Sequence, residues 1–391
     1  MQSFYRRVFQ ISLVVFALLF GAGNLIFPLR VGLASGDQSF WSMAGFLLTG
    51  VVLPLVGLLA IITFDGDYNA FFGRLGQWWG QLAIFLCMLT IGPVIVMPRI
   101  VTVAYEMMAP FLPPLPVWAF AVIFLAMVFA VTYRPTKLLD IIGKILSPLK
   151  VTSLLVIILA GVFTGLPAQS IDISKWNLFS MGAIYGYGTL DVLGTVFFGA
   201  IVVKLLRIDP EFDLNMRQRI RTAAYASFGA ATLLSFVYIG MAALAAFHGQ
   251  GLESLNEAEL FSRISFRVLG TYGAALIGFT VFIACFTTTV ALTAVFTEYV
   301  YNTIVKKRVS YPKVLSANLM LCVIPASFGL SAIMDFSMPF IKMMYPALIM
   351  VVFCNLAYKL WGFRPIKGPV ALTLLVMIAL TLRTYMMSLA G

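Results

Sequence analysis

Long apolar runs separated by short polar stretches set the pattern of this chain. A helix needs about 20 apolar residues to cross a bilayer, and on that ruler spans are predicted at about 9–34, 41–63, 77–108, 117–133, 141–164, 181–206, 220–247, 268–304, 313–330, 334–360 and 368–389, eleven in all. Those at about 77–108 and 268–304 exceed the minimum and are expected to tilt or to extend past the lipid. No loop has the composition of a linker to a soluble region, so residues 1–391 are read as one domain.

Two stretches interrupt this pattern. Phe20-Gly21-Ala22-Gly23-Asn24-Leu25-Ile26-Phe27-Pro28 sits inside the first apolar run. Its glycines disfavour helix, and Pro28 lacks an N–H and clashes with the preceding turn. Unwound backbone within lipid is tolerated only where protein or a water-filled cavity covers it, so a break here points to two half-helices aimed at a central site. A glycine kink used only for close helix packing is the plainer alternative. The sixth run repeats the device in Gly186-Tyr187-Gly188-Thr189-Leu190-Asp191, with an acid at mid-membrane depth. Counting from the first run, the sixth opens a second set of five, and an odd number makes that set enter from the opposite side. The halves lie at about 8–165 and 176–360, with an extra helix at about 368–389, and paired breaks in inverted halves favour a transport site over packing.

Composition sharpens the class. Of 391 residues, 61% are hydrophobic and 10% charged, with a mean hydropathy of +1.00. A soluble core has no use for so much apolar surface, which leaves a polytopic helical membrane protein. The first run lacks a small-residue cleavage site and is read as a retained helix, not a signal peptide. The net charge of +11 reflects orientation: 19 of the 26 Lys and Arg fall in alternate loops, from Arg6 and Arg7 through Arg74, Arg134, Lys137 and Lys144 to Arg364 and Lys367. That places the N-terminus in the cytoplasm, with basic loops against the lipid surface, and makes nucleic acid an unnecessary partner. Cys87, Cys285, Cys322 and Cys354 lie in apolar runs without metal-ligand spacing, and His248 is the single histidine. No nucleophile–base or metal constellation marks an enzyme, no cofactor is implied, and no repeated polar lining marks a channel.

The two interrupted runs, together with Gly92-Pro93 through Pro98-Arg99 and Cys285-Phe286-Thr287-Thr288, resemble the branched-chain amino acid:cation symporters, the BrnQ-type carriers of the amino acid–polyamine–cation superfamily. The resemblance extends to Tyr345-Pro346 and implies a LeuT-like five-plus-five inverted repeat with broken helices 1 and 6. It implies import of leucine, isoleucine or valine with sodium across a bacterial inner membrane. A proton-coupled permease of the same superfold with another aliphatic substrate is the alternative. Family members usually have twelve helices, so the last is expected to be missing here; the oligomeric state stays open.

Roles follow from the resemblance. The substrate carboxylate is expected at the N–H groups of Gly21, Ala22 and Gly23, where a half-helix begins with its positive dipole end. The ammonium is expected at carbonyls freed around Gly186, Tyr187, Gly188 and Thr189, with Tyr187 helping to line an apolar pocket. A sodium site is expected to join carbonyls near Ala17 and Phe20 to Ala284, Thr287 and Thr288 of the eighth helix. The threonines could instead bond back to carbonyls one turn earlier. Asn24 could bind the cation or substrate, or cap the second half-helix. Asp191 is either a coupling residue or a cap and dipole partner for its half-helix. For Arg99 and Glu106, pairing or snorkelling is the simpler reading. Arg30 and Asp335, near the outer ends of the first and tenth helices, are expected to form an extracellular gate unless both are solvated. Residues 249–267, with Glu253, Glu257 and Glu259, read as a lid or as a solvated loop helix. Asp65 to Trp79 reads as a short interfacial helix.

Overall fold

The computed structural model describes residues 2–133, 147–207 and 216–390. Arg134, Lys137 and Lys144, and the start of the span expected from about 141, lie outside them.

Each expected span coincides with a helical run. The first is split into α1 (Gln2–Leu19) and α2 (Ala22–Ser35). The second comprises α3 (Ser39–Leu47) and α4 (Leu53–Ile62), joined by one wider turn, and the short α5 (Tyr68–Gly73) follows. The third comprises α6 (Gln77–Leu89) and α7 (Val96–Met108), then come α8 (Val117–Thr132) and α9 (Ser147–Phe163). The sixth is split into α10 (Lys175–Gly188) and α11 (Asp191–Arg207), bent by 40°. The remainder are α12 (Met216–His248), α13 (Glu257–Tyr299), α14 (Tyr311–Ala326), α15 (Leu330–Trp361) and α16 (Lys367–Ala390).

The breaks are narrower than the glycine-rich stretches suggest. Only Phe20 and Gly21 leave the helix in the first run, while Gly23, Asn24 and Pro28 are helical. Pro28 lies in the second turn of α2, not at the break. In the sixth run the helix persists through Gly186 and Gly188, and the chain turns at Thr189 and Leu190. Leu190 adopts φ 62°, a left-handed conformation that costs a non-glycine residue about 1–2 kcal/mol. Gly186 serves close packing: a Cβ there would lie 2.0 Å from Thr49 Oγ1 of the wider turn after α3, and one on Gly182 would lie 1.8 Å from Ser42 O. Small residues let α10 and the second run approach backbone to backbone, and Thr49 Oγ1 donates to Ala183 O at 2.9 Å across them.

A third interruption lies in the long run at about 77–108, expected to tilt or to extend past the lipid. Gly92 is non-helical (φ −87°, ψ −132°) beside Pro93, so α7 starts afresh at Val96. Phe296 of α13 fills the notch, since a Cβ on Gly92 would lie 2.7 Å from its ring. The long α13 is two pieces hinged at Gly270 (φ 65°): an N-terminal stretch, then the spanning portion. The expected interfacial helix is α5, which inserts Phe71 and Phe72 into the core while Trp78 and Trp79 stay exposed. Arg74 ties it to the end of α15 through Cys354 O and Asn355 Oδ1.

Candidate functional site

The two chain breaks meet at the centre of the bundle. Gly21 is extended (φ −99°, ψ −170°), and its N–H donates to Leu19 O at 2.9 Å and Asn24 Oδ1 at 3.0 Å. A continuous helix would have used the Ala17 carbonyl. The N–H groups of Ala22 and Gly23, in the first turn of α2, have no carbonyl one turn back.

At the second break, Gly186 O accepts from Thr189 N and Thr189 Oγ1, and Tyr187 O accepts from Leu190 N. Gly188 O accepts from Arg99 Nη1 at 2.7 Å, and Val192 N donates to Tyr345 Oη at 2.8 Å. Side chains from α7 and α15 thus satisfy peptide groups that the bend removes from the helix ladder. The Tyr187 ring packs against Tyr345, centroids 5.5 Å apart.

Asn24 links the breaks. Fully buried, it donates through Nδ2 to Asp191 Oδ2 at 2.6 Å and to the Tyr238 hydroxyl of α12. With Oδ1 accepting from Gly21, it caps its own half-helix and grips the other. The Asp191 carboxylate, itself buried, also has the Thr189 and Tyr238 hydroxyls beside it. The backbones approach closely here: a Cβ on Gly23 would lie 3.5 Å from Thr189 Cα, and one on Gly188 would lie 2.8 Å from the Phe27 ring.

Arg99 does not snorkel. It is 1% exposed, with its guanidinium 5.3 Å from the Phe27 ring centre. Glu106, on the same helix, instead accepts from Asn256 Nδ2 of the segment 249–267 at 3.5 Å.

Of the residues expected around the cation, Thr288 reaches the first break. Thr288 Cγ2 lies 3.8 Å from the position of a Cβ on Gly21, beside the segment carrying Ala17 and Phe20. Thr287 Oγ1 and Thr288 Oγ1 both donate to Ala284 O, at 3.0 and 2.9 Å. These are the back-bonds of the plainer reading, yet each hydroxyl keeps lone pairs that a hard cation can use.

Arg30 and Asp335 do not pair. Arg30 Nε faces Glu257 Oε1 at 3.4 Å, and Nη1 and Nη2 donate to Glu253 O and Leu255 O at 3.0 and 2.6 Å. Asp335 is exposed. The partner of Arg30 is therefore the segment 249–267, whose helix is capped by Asn256 and buries Leu260, Phe261 and Ile264 against the bundle.

An apolar cavity of about 470 Å³ lies between α6, α11, α15 and α16, reaching Leu190 and Tyr345 but not Gly21–Asn24. Among the described residues, the sequence reading overlooked Tyr238, Tyr345 and the third break. A tyrosine hydroxyl midway along an apolar helix must find a partner, which is the signal that could have singled them out.

Residues 5–389 match the family model described as "Branched-chain amino acid transport protein". The chain is 33% identical to the branched-chain amino acid permease BraB of Bacillus subtilis over 364 residues, covering 90% of this chain and 80% of that protein. It is 30% identical to the permease BrnQ of Escherichia coli K12 over 387 residues, covering 95% and 85%. Among solved structures, a manganese transporter of Eremococcus coleocola superposes with TM-score 0.62 at 13% identity, covering 98% of this chain and 86% of that one. Inward-facing Mhp1 superposes with TM-score 0.63 at 14% identity, covering 90% and 77%. The shared fold is the LeuT-like five-plus-five inverted repeat, with helices 1 and 6 broken.

Proposed function

This chain belongs to the branched-chain amino acid transport protein family, and on that premise we propose that it imports leucine, isoleucine and valine by alternating access, coupled to a sodium gradient. The observation that carries this reading is the bond from Asn24 to Asp191, which joins the two broken helices at their breaks. Peptide groups released from two helices at one place suit a zwitterion, whose two charges need donors and acceptors at opposite ends.

In this reading the carboxylate lies at the N-terminus of α2, against the Ala22 and Gly23 amides. Gly21, whose amide is already taken, supplies the open backbone. The ammonium meets carbonyls of the Gly186–Thr189 stretch, of which Gly188 O, taken once by Arg99, keeps a second lone pair, whereas Gly186 O already accepts two bonds. Tyr187 borders the aliphatic side chain, and a pocket of that kind separates substrates differing by one methylene by only about 1–3 kcal/mol, so several are accepted. Sodium would be held by carbonyls near Ala17 and Phe20 with Ala284, Thr287 and Thr288. The Arg30–Glu257 contact and the helix beginning at Glu257 would close the outer side, with the N-terminus in the cytoplasm and the protein in a bacterial inner membrane.

The test is uptake of radiolabelled leucine into proteoliposomes under an imposed sodium gradient, then under a proton gradient. Sodium-dependent accumulation is expected. Accumulation with protons alone would transfer coupling to a protonatable group, Asp191 foremost, and dependence on neither ion would remove the symport assignment.

A further inference from the structure

Arg99 is the largest fully buried side chain among the described residues, and nothing so far accounts for its charge. A guanidinium carries that charge permanently and offers five N–H donors. Nη1 is anchored on Gly188 O, Nε is buried with no hydrogen-bond partner, and Nη2 lies 3.0 Å from the position that a Cβ on Gly23 would take. No carboxylate among the described residues pairs with it at contact distance. Asp191 is instead engaged by Asn24 and Tyr238. The Phe27 ring covers one side of the guanidinium as a weak cation–π partner.

A cation buried this way, with no carboxylate among the described residues in contact, is held against a large desolvation cost. Capping one carbonyl does not justify it, because a neutral donor could do the same. Asp191 and Glu257 act on Arg99 through space, but its Nε and Nη2 have no described carboxylate in contact, and the N-terminus of α2, with its free first-turn amides, lies beside them.

We propose that Arg99 is the receptor for the substrate's α-carboxylate, closing a site with the Ala22 and Gly23 amides in which the incoming anion takes the guanidinium donors left unpartnered. Resting on the amino acid reading above, this assigns the carboxylate a fixed cation as partner. Gly23 is then required to be small, because a methyl group there would press on Nη2. A planar fork engages a carboxylate through two parallel bonds, which a lysine cannot reproduce.

The test is competition against radiolabelled leucine binding by the purified protein, using leucine and leucinol, which has a hydroxymethyl group in place of the carboxylate. The wild type should prefer leucine strongly. Arg99→Met should lose about 100-fold in leucine affinity while leucinol binding changes little, so that the preference collapses. Gly23→Ala should move in the same direction by a smaller factor, and Arg99→Lys should retain part of the preference. If Arg99→Met does not fold, Arg99→Lys and Gly23→Ala carry the decision. Equal loss of leucine and leucinol, or an unchanged preference, would overturn the assignment. A wild type that binds neither compound would instead sink the underlying amino acid reading.

Discussion

Asn24 donates to Asp191 at 2.6 Å across 167 residues of sequence, joining the two interrupted helices at their breaks. The same side chain accepts from Gly21 N, so one amide shapes the first break and fastens the second. Asn24→Ala is therefore expected to leave the buried Asp191 and Tyr238 without this partner, a cost of about 1–3 kcal/mol, and to abolish most leucine uptake. Asp191→Asn should fold better than Asn24→Ala yet transport poorly. Thermal unfolding in detergent and uptake rates measure the two effects separately, and wild-type values for either variant would discredit the link.

Two glycines of the sixth run, Gly186 in α10 and Gly194 in α11, make a contrasting forecast. Gly186→Ala would bring a methyl within 2.0 Å of Thr49 Oγ1, whereas Gly194→Ala would meet only the Phe198 ring at 3.6 Å. Overpacking of the first kind costs about 1–3 kcal/mol. Gly186→Ala should lower the melting temperature, with Gly194→Ala near wild type; the reverse order would mean that helix contact is not what Gly186 provides.

How far the sequence spoke depends on the residue. The first break was legible because glycines interrupt a run that lipid would otherwise surround, although the helix resumes sooner than they suggest and runs on through Pro28. The second was legible as an event but not as a position. Gly186 and Gly188 look like breakers yet pack against Thr49 and Phe27, while the turn falls on Leu190, a residue with no tendency to make one. Tyr345 and Arg99 take up the peptide groups released there, and both come from helices far along the chain. Arg99 illustrates the same limit: spacing gave its depth, but only packing reveals that it points inward. Gly92-Pro93 was visible as a motif, and the break it makes was not.

Loosening the outer helix is expected from Arg30. Its contacts with Glu257, Glu253 O and Leu255 O are partly exposed, so the ion pair itself contributes no more than about 1 kcal/mol. Arg30→Ala should speed hydrogen exchange through 249–267, and Asp335→Asn should leave exchange and uptake alone. A loss of uptake in Asp335→Asn would point to an Arg30–Asp335 gate formed in another conformation, since the two do not pair in this one.

The threonine pair separates ion from substrate. Thr287→Val with Thr288→Val keeps the shape and removes two oxygens. The sodium concentration for half-maximal uptake should rise about tenfold, as for the loss of a contact worth about 1.4 kcal/mol. Serine at both positions should restore it, and a sodium dependence untouched by valine would leave these hydroxyls with their back-bonds alone.

The central claim is that the paired breaks form one site whose access alternates between the two sides of the membrane. Counterflow in proteoliposomes tests it most directly. Vesicles preloaded with unlabelled leucine should accumulate labelled leucine faster and to a transient overshoot, with the effect lost in Asn24→Ala. Identical time courses with and without internal leucine in the wild type would contradict the account.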